Sequence, residues 1–336
     1  MWTWTNAICF TPRIPMSHTN KTLIAQTKPD YLKIINAYSL LFVLGLTWGI
    51  QFLFAGIALK TLPAMTTATL RTIIGALTVC ILSLLLYKPQ KRTVSVTQKM
   101  HIWHKYIIIS IFDAVVPFYL MNWGQQYVNS SIASIVVSTA PIFVLFLSGL
   151  FLPGKHWTLS MAISVIVGFL GVVVLVLPNA STGSSILGEL SLLGASLSFA
   201  IAMILLKTLP SENQLKSIRN ILISASVIMI IPACIIDKPW ILTYNFSAIF
   251  SVCVLGVVCS GLSYLIYIKL IHLVNPTFAA LSSYLIPIVG VLLGVTYGKE
   301  TISTHELVAL IIVFASLIAS QIPQGKYKKS QNKSNE

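Results

Sequence analysis

The chain has 336 residues, of which 56% are hydrophobic and only 9% are charged, and its mean hydropathy is +0.86. Soluble domains carry roughly a quarter charged residues, so this composition excludes an ordinary soluble protein and indicates an integral membrane protein. In a soluble chain the net charge of +14 would suggest a nucleic-acid partner. Here the basic residues gather in the tails and between apolar segments, so they indicate membrane topology and we expect no nucleic-acid partner.

Ten apolar segments follow a polar N-terminal tail of residues 1–36. Each is close to the roughly 20 residues that a helix needs to cross a bilayer. A lone apolar span can satisfy its backbone in lipid only as a helix, so we predict an all-α polytopic membrane protein with ten transmembrane helices. Predicted segments one to ten are 37–59, 64–87, 105–124, 130–152, 159–177, 186–206, 218–236, 246–270, 277–297 and 302–322.

The loop charges predict the orientation in the membrane. If the N-terminus is cytoplasmic, the outer loops hold only Lys60, Lys238 and Lys299, and the other loop and tail lysines and arginines lie inside. Cytoplasmic loops are enriched in these residues. We therefore predict a multi-pass protein of the cytoplasmic membrane with both termini in the cytoplasm, including a basic C-terminal tail of residues 323–336. Met16 is an alternative start to Met1.

The chain repeats itself, because residues 275–300 have a weaker echo at residues 129–155. In each copy a proline, Pro141 or Pro287, lies twelve residues after an asparagine and inside a long apolar segment. Five predicted segments precede the connection at residues 178–185 and five follow it. An odd number of helices in each half predicts inverted repeats, here residues 37–178 and 183–322, with a binding site between them.

Two charged side chains lie about two turns or more from both ends of a predicted segment, and an ionised group costs about 2.5–3.5 kcal/mol at the helix centre. Arg71 is about two turns into segment two, and Asp113 lies in the middle third of segment three. Arg71 can clamp an anionic group of a solute, and Asp113 can couple transport to protons or bind an amine. Alternatively, the two side chains pair with each other, or Arg71 reaches back to the outer interface.

Polar and aromatic side chains on several segments complete a candidate solute cavity. Trp48 and Gln51 share one face of the first segment, being three residues apart. The hydroxyl groups near Pro141 and Pro287 either satisfy the carbonyls that these helix-kinking prolines free or face the solute. The predicted cavity residues are Trp48, Gln51, Arg71, Tyr119, Asn122, Ser138, Tyr264, Tyr267 and Ser283.

The sequence contains no pattern typical of a metal site, a nucleotide-binding loop or a catalytic triad, so we expect no cofactor, no metal and no enzymatic activity. Four of the five cysteines lie in apolar runs and are expected to be small buried side chains. G-x-x-x-G patterns at Gly45 and Gly49, and at Gly290, Gly294 and Gly298, favour close helix packing within the chain. A homodimer is an open alternative.

This pattern resembles the EamA family of the drug/metabolite transporter superfamily, whose members have ten helices in two inverted five-helix repeats. The match covers residues 37–321. One departure concerns the glycine-glutamate step that usually ends helices four and nine, because here the ninth has Glu300 and the fourth ends at Lys155. The residues that carry the resemblance are Trp48, Gly49, Phe52, Pro63, Arg71, Pro141, Leu197 to Ala200, Pro287, Glu300, Ile302 and Ser303.

The resemblance implies a secondary transporter that moves a small metabolite, amino acid or drug-like solute by alternating access, in the direction of export. A metabolite importer of the same fold is the first alternative. A membrane enzyme would place paired carboxylates, or His and Cys, near one interface, and a receptor would carry an external domain. The sequence has neither feature, so these alternatives rank below transport.

Overall fold

The computed structural model describes residues 31–86, 96–151, 159–176, 183–206, 208–209, 214–274, 278–279 and 281–321. Every regular element in these ranges is helical, and none of the ranges contains a β-strand. Several predictions lie outside the described residues: most of the N-terminal tail, the C-terminal tail, the connection around residue 179 and the end of segment four at residues 153–155.

The first half of the chain, up to residue 176, forms seven helices within its described residues. Helix α1 begins before residue 37, where segment one was predicted to start, because hydropathy marks the part of a helix that lies in lipid and not the helix end itself. The helices are α1 (Tyr31–Ala58), α2 (Ala64–Leu86), α3 (Val96–Ser110), α4 (Val116–Gly124), α5 (Ser130–Val137), α6 (Ala140–Phe151) and α7 (Leu159–Val176).

The second half, from residue 183, forms six helices in the ranges given above. Helix α12 continues through Pro287, whereas Ser138 and Thr139 form a non-helical turn between α5 and α6, just before Pro141. The helices are α8 (Gly183–Leu206), α9 (Gln214–Pro232), α10 (Phe246–Gly256), α11 (Ser263–Leu273), α12 (Ser282–Thr296) and α13 (Thr304–Gln321).

Seven helical stretches of the described chain are apolar and long enough to cross a membrane. Three more apolar helices, Met161–Val176, Ser282–Thr296 and Thr304–Ala319, are shorter. In order along the chain these ten stretches follow the ten predicted segments, but only seven reach the length of a full span. The seven are Leu32–Ala58, Ala64–Leu85, Ile102–Gly124, Ser130–Phe151, Ile186–Leu206, Gln214–Asp237 and Phe246–Leu270.

Three π-helical turns interrupt the α-helical geometry of the described chain. Ile111–Val115 joins α3 to α4, Val257–Leu262 joins α10 to α11, and Ala233–Asp237 follows α9. A π-turn inserts an extra residue into the helix, so it rotates the face that the following residues present, and such turns are frequent at functional sites. The first two lie in predicted segments three and eight, and both border the cavity described below.

Many of the close helix pairs join the first half of the chain to the second. Helix α1 packs against α10 and α12, and α8 packs against α4, α5 and α6. Helix α2 lies along α9, α7 lies along α13, and α5 contacts α12. The two halves are therefore interleaved, and the interior of the bundle is built from both of them.

Glycines allow the closest approaches between these helices. A Cβ atom added at Gly49 of α1 would overlap the Val289 side chain of α12, and one added at Gly290 of α12 would overlap Ser134 of α5. Gly294 faces Ser131 of α5 in the same way. As predicted, these G-x-x-x-G faces are filled within the chain, because small residues let helix backbones meet.

Candidate functional site

A cavity of about 140 Å³ lies between the two halves of the bundle. Its walls come from helices α1, α2, α4, α5, α6, α8, α11 and α12 together with the two π-turns that precede α4 and α11. Most of its surface is apolar, and a few polar side chains point into it. The lining residues are Trp48, Gln51, Arg71, Asp113, Phe118, Val137, Ala140, Phe199, Met203, Leu206, Cys259, Tyr264, Tyr267, Ser283 and Ile286.

Arg71 is held in place by neighbours from three other parts of the chain. Only 2% of the residue is exposed, so its guanidinium does not reach back to the membrane interface. Its Nε donates to Ser260 Oγ at 3.0 Å, its Nη2 donates to Gln51 Oε1 at 2.7 Å, and its Cζ lies 4.0 Å from the centre of the Phe118 ring. The described residues accept two of the five guanidinium N–H donors in this way, which leaves three for a ligand.

Asp113 lies inside the first π-turn and is 8% exposed. Its Oδ2 accepts a hydrogen bond of 2.8 Å from the Tyr264 hydroxyl of α11, so this contact joins the two halves of the chain. No ion pair joins Asp113 to Arg71, although both residues are described and both line the cavity. The cavity therefore contains one basic and one acidic group, each held by a neutral partner.

The apolar walls are built from two aromatic pairs. The rings of Trp48 and Tyr267 are 5.6 Å apart, and those of Phe118 and Phe199 are 6.2 Å apart in an edge-to-face arrangement. Aromatic pairs at these separations are favourable and rigid. An amphipathic solute would therefore meet apolar faces as well as the charged groups.

Each of the two prolines removes the usual helical donor to the backbone carbonyl of a lining residue. Proline has no N–H, so Pro141 cannot donate to the carbonyl of Val137, and Pro287 cannot donate to that of Ser283. Both Val137 and Ser283 line the cavity. The neighbouring Ser138 hydroxyl donates to Ile135 O at 2.6 Å and so satisfies a backbone carbonyl one turn earlier.

The structure brings together seven of the side chains that the sequence suggested: Trp48, Gln51, Arg71, Asp113, Tyr264, Tyr267 and Ser283 line the cavity. Three others do not line it. Asn122 is buried and its Nδ2 donates to Ala64 O at 3.4 Å. Tyr119 packs against the main hydrophobic core, and Ser138 is buried and bonded to its own helix.

Sequence reasoning missed the lining residues that are neither charged nor strongly polar, among them Phe118, Phe199 and Met203. It also missed Ser260, which holds Arg71. Nothing in their residue types separates them from core residues. Phe199 lies in Leu197 to Ala200, one of the stretches that carry the family resemblance, and that resemblance is the signal that could have found it.

Two carboxylates join helices of the two halves at one end of the bundle, called here the Glu300 end. Glu300 Oε1 accepts from Ser130 N at 2.9 Å, and its Oε2 accepts from Ser131 N at 3.0 Å and Ser131 Oγ at 2.5 Å. Asp237 Oδ2 accepts from Thr66 N at 2.7 Å and Thr66 Oγ1 at 2.8 Å. Each carboxylate comes from the second half of the chain and caps the first turn of a helix of the first half.

Further hydrogen bonds tie the helix ends beside these carboxylates. Gln125 Nε2 and Ser130 Oγ both donate to Phe52 O, at 2.9 and 3.2 Å. In the other direction the lining residues of α8 are Phe199, Met203 and Leu206, all in the last third of that helix. The cavity thus extends from the middle of the bundle toward the opposite end, called here the Leu206 end.

No group of three or more His, Cys, Asp or Glu side chains lies close enough to hold a metal ion in the part of the chain that the structure describes. The polar groups of the cavity are instead suited to a solute. The guanidinium donates, the carboxylate accepts, and the aromatic walls exclude water from the apolar part of a ligand.

Curated relatives align with this chain over most of their length. Protein PagO of Salmonella typhimurium is 27% identical over 292 residues, which are 85% of this chain and 94% of PagO. The inner membrane transporter YedA of Escherichia coli is 27% identical over 300 residues, covering 88% and 94%. The transporter YoaV of Bacillus subtilis is 23% identical over 282 residues, covering 81% and 90%.

One solved crystal structure has the same fold, with a TM-score of 0.60 at 14% identity, and it covers 87% of this chain and 97% of its own. At this identity the similarity supports the fold alone. A sequence model of the EamA-like transporter family matches twice, at residues 35–177 and 186–320. Together the two matches cover nearly the whole membrane-embedded part, and the relatives named as transporters agree with them. The chain therefore belongs to the EamA-like transporter family.

Proposed function

We propose that this chain is a secondary transporter that moves a small metabolite, amino acid or drug-like solute across the cytoplasmic membrane by alternating access, in the direction of export. The observation that carries the proposal is the central cavity, in which Arg71 and Asp113 face one space without pairing with each other. Charged groups are costly at membrane depth, and such residues mark solute pathways in transporters.

We also propose that the chain is built from two inverted five-helix repeats, and three observations support this. The most extensive helix contacts are preserved when each predicted segment is exchanged for the one five places away: the pair α1–α12 becomes α8–α6, and α1–α10 becomes α8–α4. The π-turns in segments three and eight correspond, and the family model matches each half. In folds of this kind the solute site lies between the repeats.

The chemistry of the cavity favours a solute with both a negative and a positive group. The three remaining N–H donors of Arg71 suit a carboxylate, which guanidinium groups bind in a bidentate manner. Asp113 and the carbonyls that the two prolines free can accept from an ammonium group. The Trp48 and Phe118 rings are available for an apolar body. A small zwitterion such as an amino acid meets all three requirements.

The size of the cavity favours the small-metabolite end of the proposed range. A cavity of about 150 Å³ in another protein holds one benzene molecule, and the cavity here has about 140 Å³. A solute much larger than this would require the helices to separate. We therefore rank metabolites and amino acids above large multi-ring drugs.

Asp113 is the leading candidate for proton coupling. Its Oδ2 accepts from Tyr264 across the two halves, and its Oδ1 is left for a proton or an amine. Protonation would replace a negative acceptor with a neutral group that can donate. The affinity for a positively charged solute group would then depend on the protonation state, which is what coupling requires.

The loop charges support an orientation with the Glu300 end outside. Lys60, Lys238 and Lys299 are then the few basic residues of the outer loops, and both termini are cytoplasmic. In this orientation the lining residues of α8 extend toward the cytoplasm, and the hydrogen bonds of Glu300 and Asp237 lie on the outer side. Loading from the cytoplasm is the first step of export.

An untargeted comparison of metabolites inside and outside cells, with and without the protein, tests the proposal. We expect at least one small solute to change its distribution, and Arg71→Ala to abolish that change because the anion clamp is lost. Arg219→Ala is the matched control, since Arg219 bonds only to Asn220 and Ser83 among the described contacts and does not line the cavity. If Arg71→Ala and Arg219→Ala behave alike, the site assignment is wrong.

Direction is tested separately with the solute thus found. Right-side-out vesicles that accumulate the labelled solute would support the importer alternative, and inside-out vesicles that accumulate it would support export. A protein that changes a metabolite chemically, and not only its location, would favour the enzyme alternative.

A further inference from the structure

Two carboxylates at the Glu300 end make the same type of contact, and neither belongs to the cavity. Glu300 follows α12 and caps the start of α5, while Asp237 follows α9 and caps the start of α2. Both contacts cross from the second half of the chain to the first. Because α5 and α2 both border the cavity, a movement that separates either helix from its carboxylate partner would break one of these contacts.

The fit at Glu300 is tight on every side. Its two oxygens take three hydrogen bonds from Ser130 and Ser131, and an added Cβ at Gly294 would overlap both Glu300 Oε2 and Ser131 Oγ. An added Cβ at Gly298 would lie 3.3 Å from the Glu300 side chain. The glycines of α12 and of the turn after it thus leave just enough space for the carboxylate between α12 and α5.

The sequence lacks the corresponding carboxylates at the other end. Tyr87-Lys88-Pro89 after α2 aligns with Asp237-Lys238-Pro239 after α9, so a tyrosine stands where the second half has Asp237. At the position that corresponds to Glu300 the first half has Gly154, or Lys155 if one gap is allowed. Neither position can accept hydrogen bonds from helix N-termini as a carboxylate does.

We propose that Glu300 and Asp237 form a one-sided lock that holds the Glu300 end closed, so that the resting transporter presents its cavity at the Leu206 end. The inference rests on the proposed alternating-access function and deepens it by naming the residues that set the resting conformation. Three bonds from neutral donors hold Glu300 and two hold Asp237, and bonds to a charged acceptor are stronger than neutral ones. The conformation in which both carboxylates keep their hydrogen bonds is therefore favoured over a conformation in which the Glu300 end is open.

The thiol of Cys259, which lines the cavity, reports which end is open. We would keep Cys259 as the sole cysteine by replacing Cys9, Cys80, Cys234 and Cys253, and label it in oriented vesicles with a small, charged, membrane-impermeant thiol reagent. A Lys299→Cys variant, labelled in the same way, identifies the membrane side of the Glu300 end because Lys299 is exposed. Gel filtration of each variant establishes that it is folded.

We expect Cys259 to be labelled from the Leu206 side and only slowly from the Glu300 side. Glu300→Gln and Asp237→Asn should each raise labelling from the Glu300 side about tenfold, because losing one bond to a charged acceptor changes an equilibrium by at least this factor. Ser131→Ala should have a smaller effect in the same direction. Glu306→Gln is the matched control, since Glu306 accepts from Ser303 N within its own half.

The lock would be overturned if Glu300→Gln and Asp237→Asn left the ratio of Cys259 labelling from the Glu300 side to labelling from the Leu206 side unchanged. An equal increase of this ratio in Glu306→Gln would also overturn it. Labelling of Cys259 chiefly from the Glu300 side when both carboxylates are intact would also overturn it. No solute is needed for this measurement. The lock can therefore fail while Arg71-dependent transport is observed, and it can hold in a protein for which no solute has been found.

Discussion

The contact between Gly290 of α12 and Ser134 of α5 provides a direct test of how the two halves pack. A Cβ added at Gly290 would overlap both Ser134 Cβ and Ser134 Oγ. Carbon atoms in contact normally lie about 3.5–4.0 Å apart, so Gly290→Ala would push α12 away from α5. The Phe52 ring lies 3.8 Å from the same point, in ordinary van der Waals contact with it.

The free-energy cost of this overlap can be judged from substitutions that overpack the cores of other proteins. Overpacking by one methyl group in a well-packed interior destabilises by about 1–3 kcal/mol. Gly290→Ala should lower the apparent melting temperature in detergent by several degrees, although alanine has the higher helix propensity. If Gly290 faced lipid, Gly290→Ala would be expected to raise the apparent melting temperature instead. Ser134→Gly removes both opposing atoms, Cβ and Oγ, so the double variant should recover part of the loss.

Thermal unfolding of the four proteins in one detergent, followed by tryptophan fluorescence or by loss of the monodisperse peak, completes the cycle. We expect a coupling free energy of about 0.5–3 kcal/mol between the two positions, as for residues in direct contact. If Gly290→Ala destabilises the protein equally with and without the Ser134→Gly substitution, the two helices do not meet as described. If Gly290→Ala is stabilising, the interface itself is wrong.

Two further predictions concern the cavity. Asp113→Asn should remove the pH dependence of transport. The fold should stay intact, because the Asn amide oxygen can still accept a hydrogen bond from the Tyr264 hydroxyl. Full-rate transport with unchanged pH dependence would contradict a coupling role. Trp48→Ala removes the ring that lies 5.6 Å from Tyr267. Losing an aromatic contact costs about 0.5–1.5 kcal/mol of binding free energy, so the half-saturating solute concentration should rise about two- to tenfold. Trp48→Phe should retain most of the affinity. Equal uptake curves for Trp48→Ala and the unmodified protein would show that this wall does not touch the solute.

Hydropathy alone predicted the helical nature of the chain and the order of its apolar segments. This works because lipid leaves few alternatives to a helix. It did not predict the interruptions. The break at Ser138 and Thr139 comes before Pro141 and not at it, and α12 continues through Pro287 as a helix, since neighbouring helices support the chain where proline removes one bond.

Helical phase explains why the site was only partly predictable. Neighbouring residues of a helix point about 100° apart, so only one of Phe118 and Tyr119 can face the cavity, and it is Phe118. The π-turn at Ile111–Val115 precedes both residues and rotates them relative to an ideal helix. No residue type in this turn signals its presence. A prediction based on polar character therefore chose Tyr119 and Asn122.

The partner of Glu300 was equally hidden from the sequence. The residue was recognised as part of a family step, but its contacts are two backbone N–H groups and one hydroxyl about 170 positions away. Backbone donors have no sequence signature. Only the three-dimensional approach of α12 to α5 reveals them.

The opposite charges in the cavity have an electrical consequence. With Arg71 and Asp113 both ionised, the binding site has no net charge of its own, and a bound zwitterion adds none. Each unit charge carried across the membrane is worth about 2.3 kcal/mol per 100 mV. A zwitterion moved without a proton would therefore cross at a rate largely independent of the membrane potential, whereas each proton coupled through Asp113 would carry one unit of charge. A simple anion would draw current, and the same protein would then respond to the energetic state of the cell.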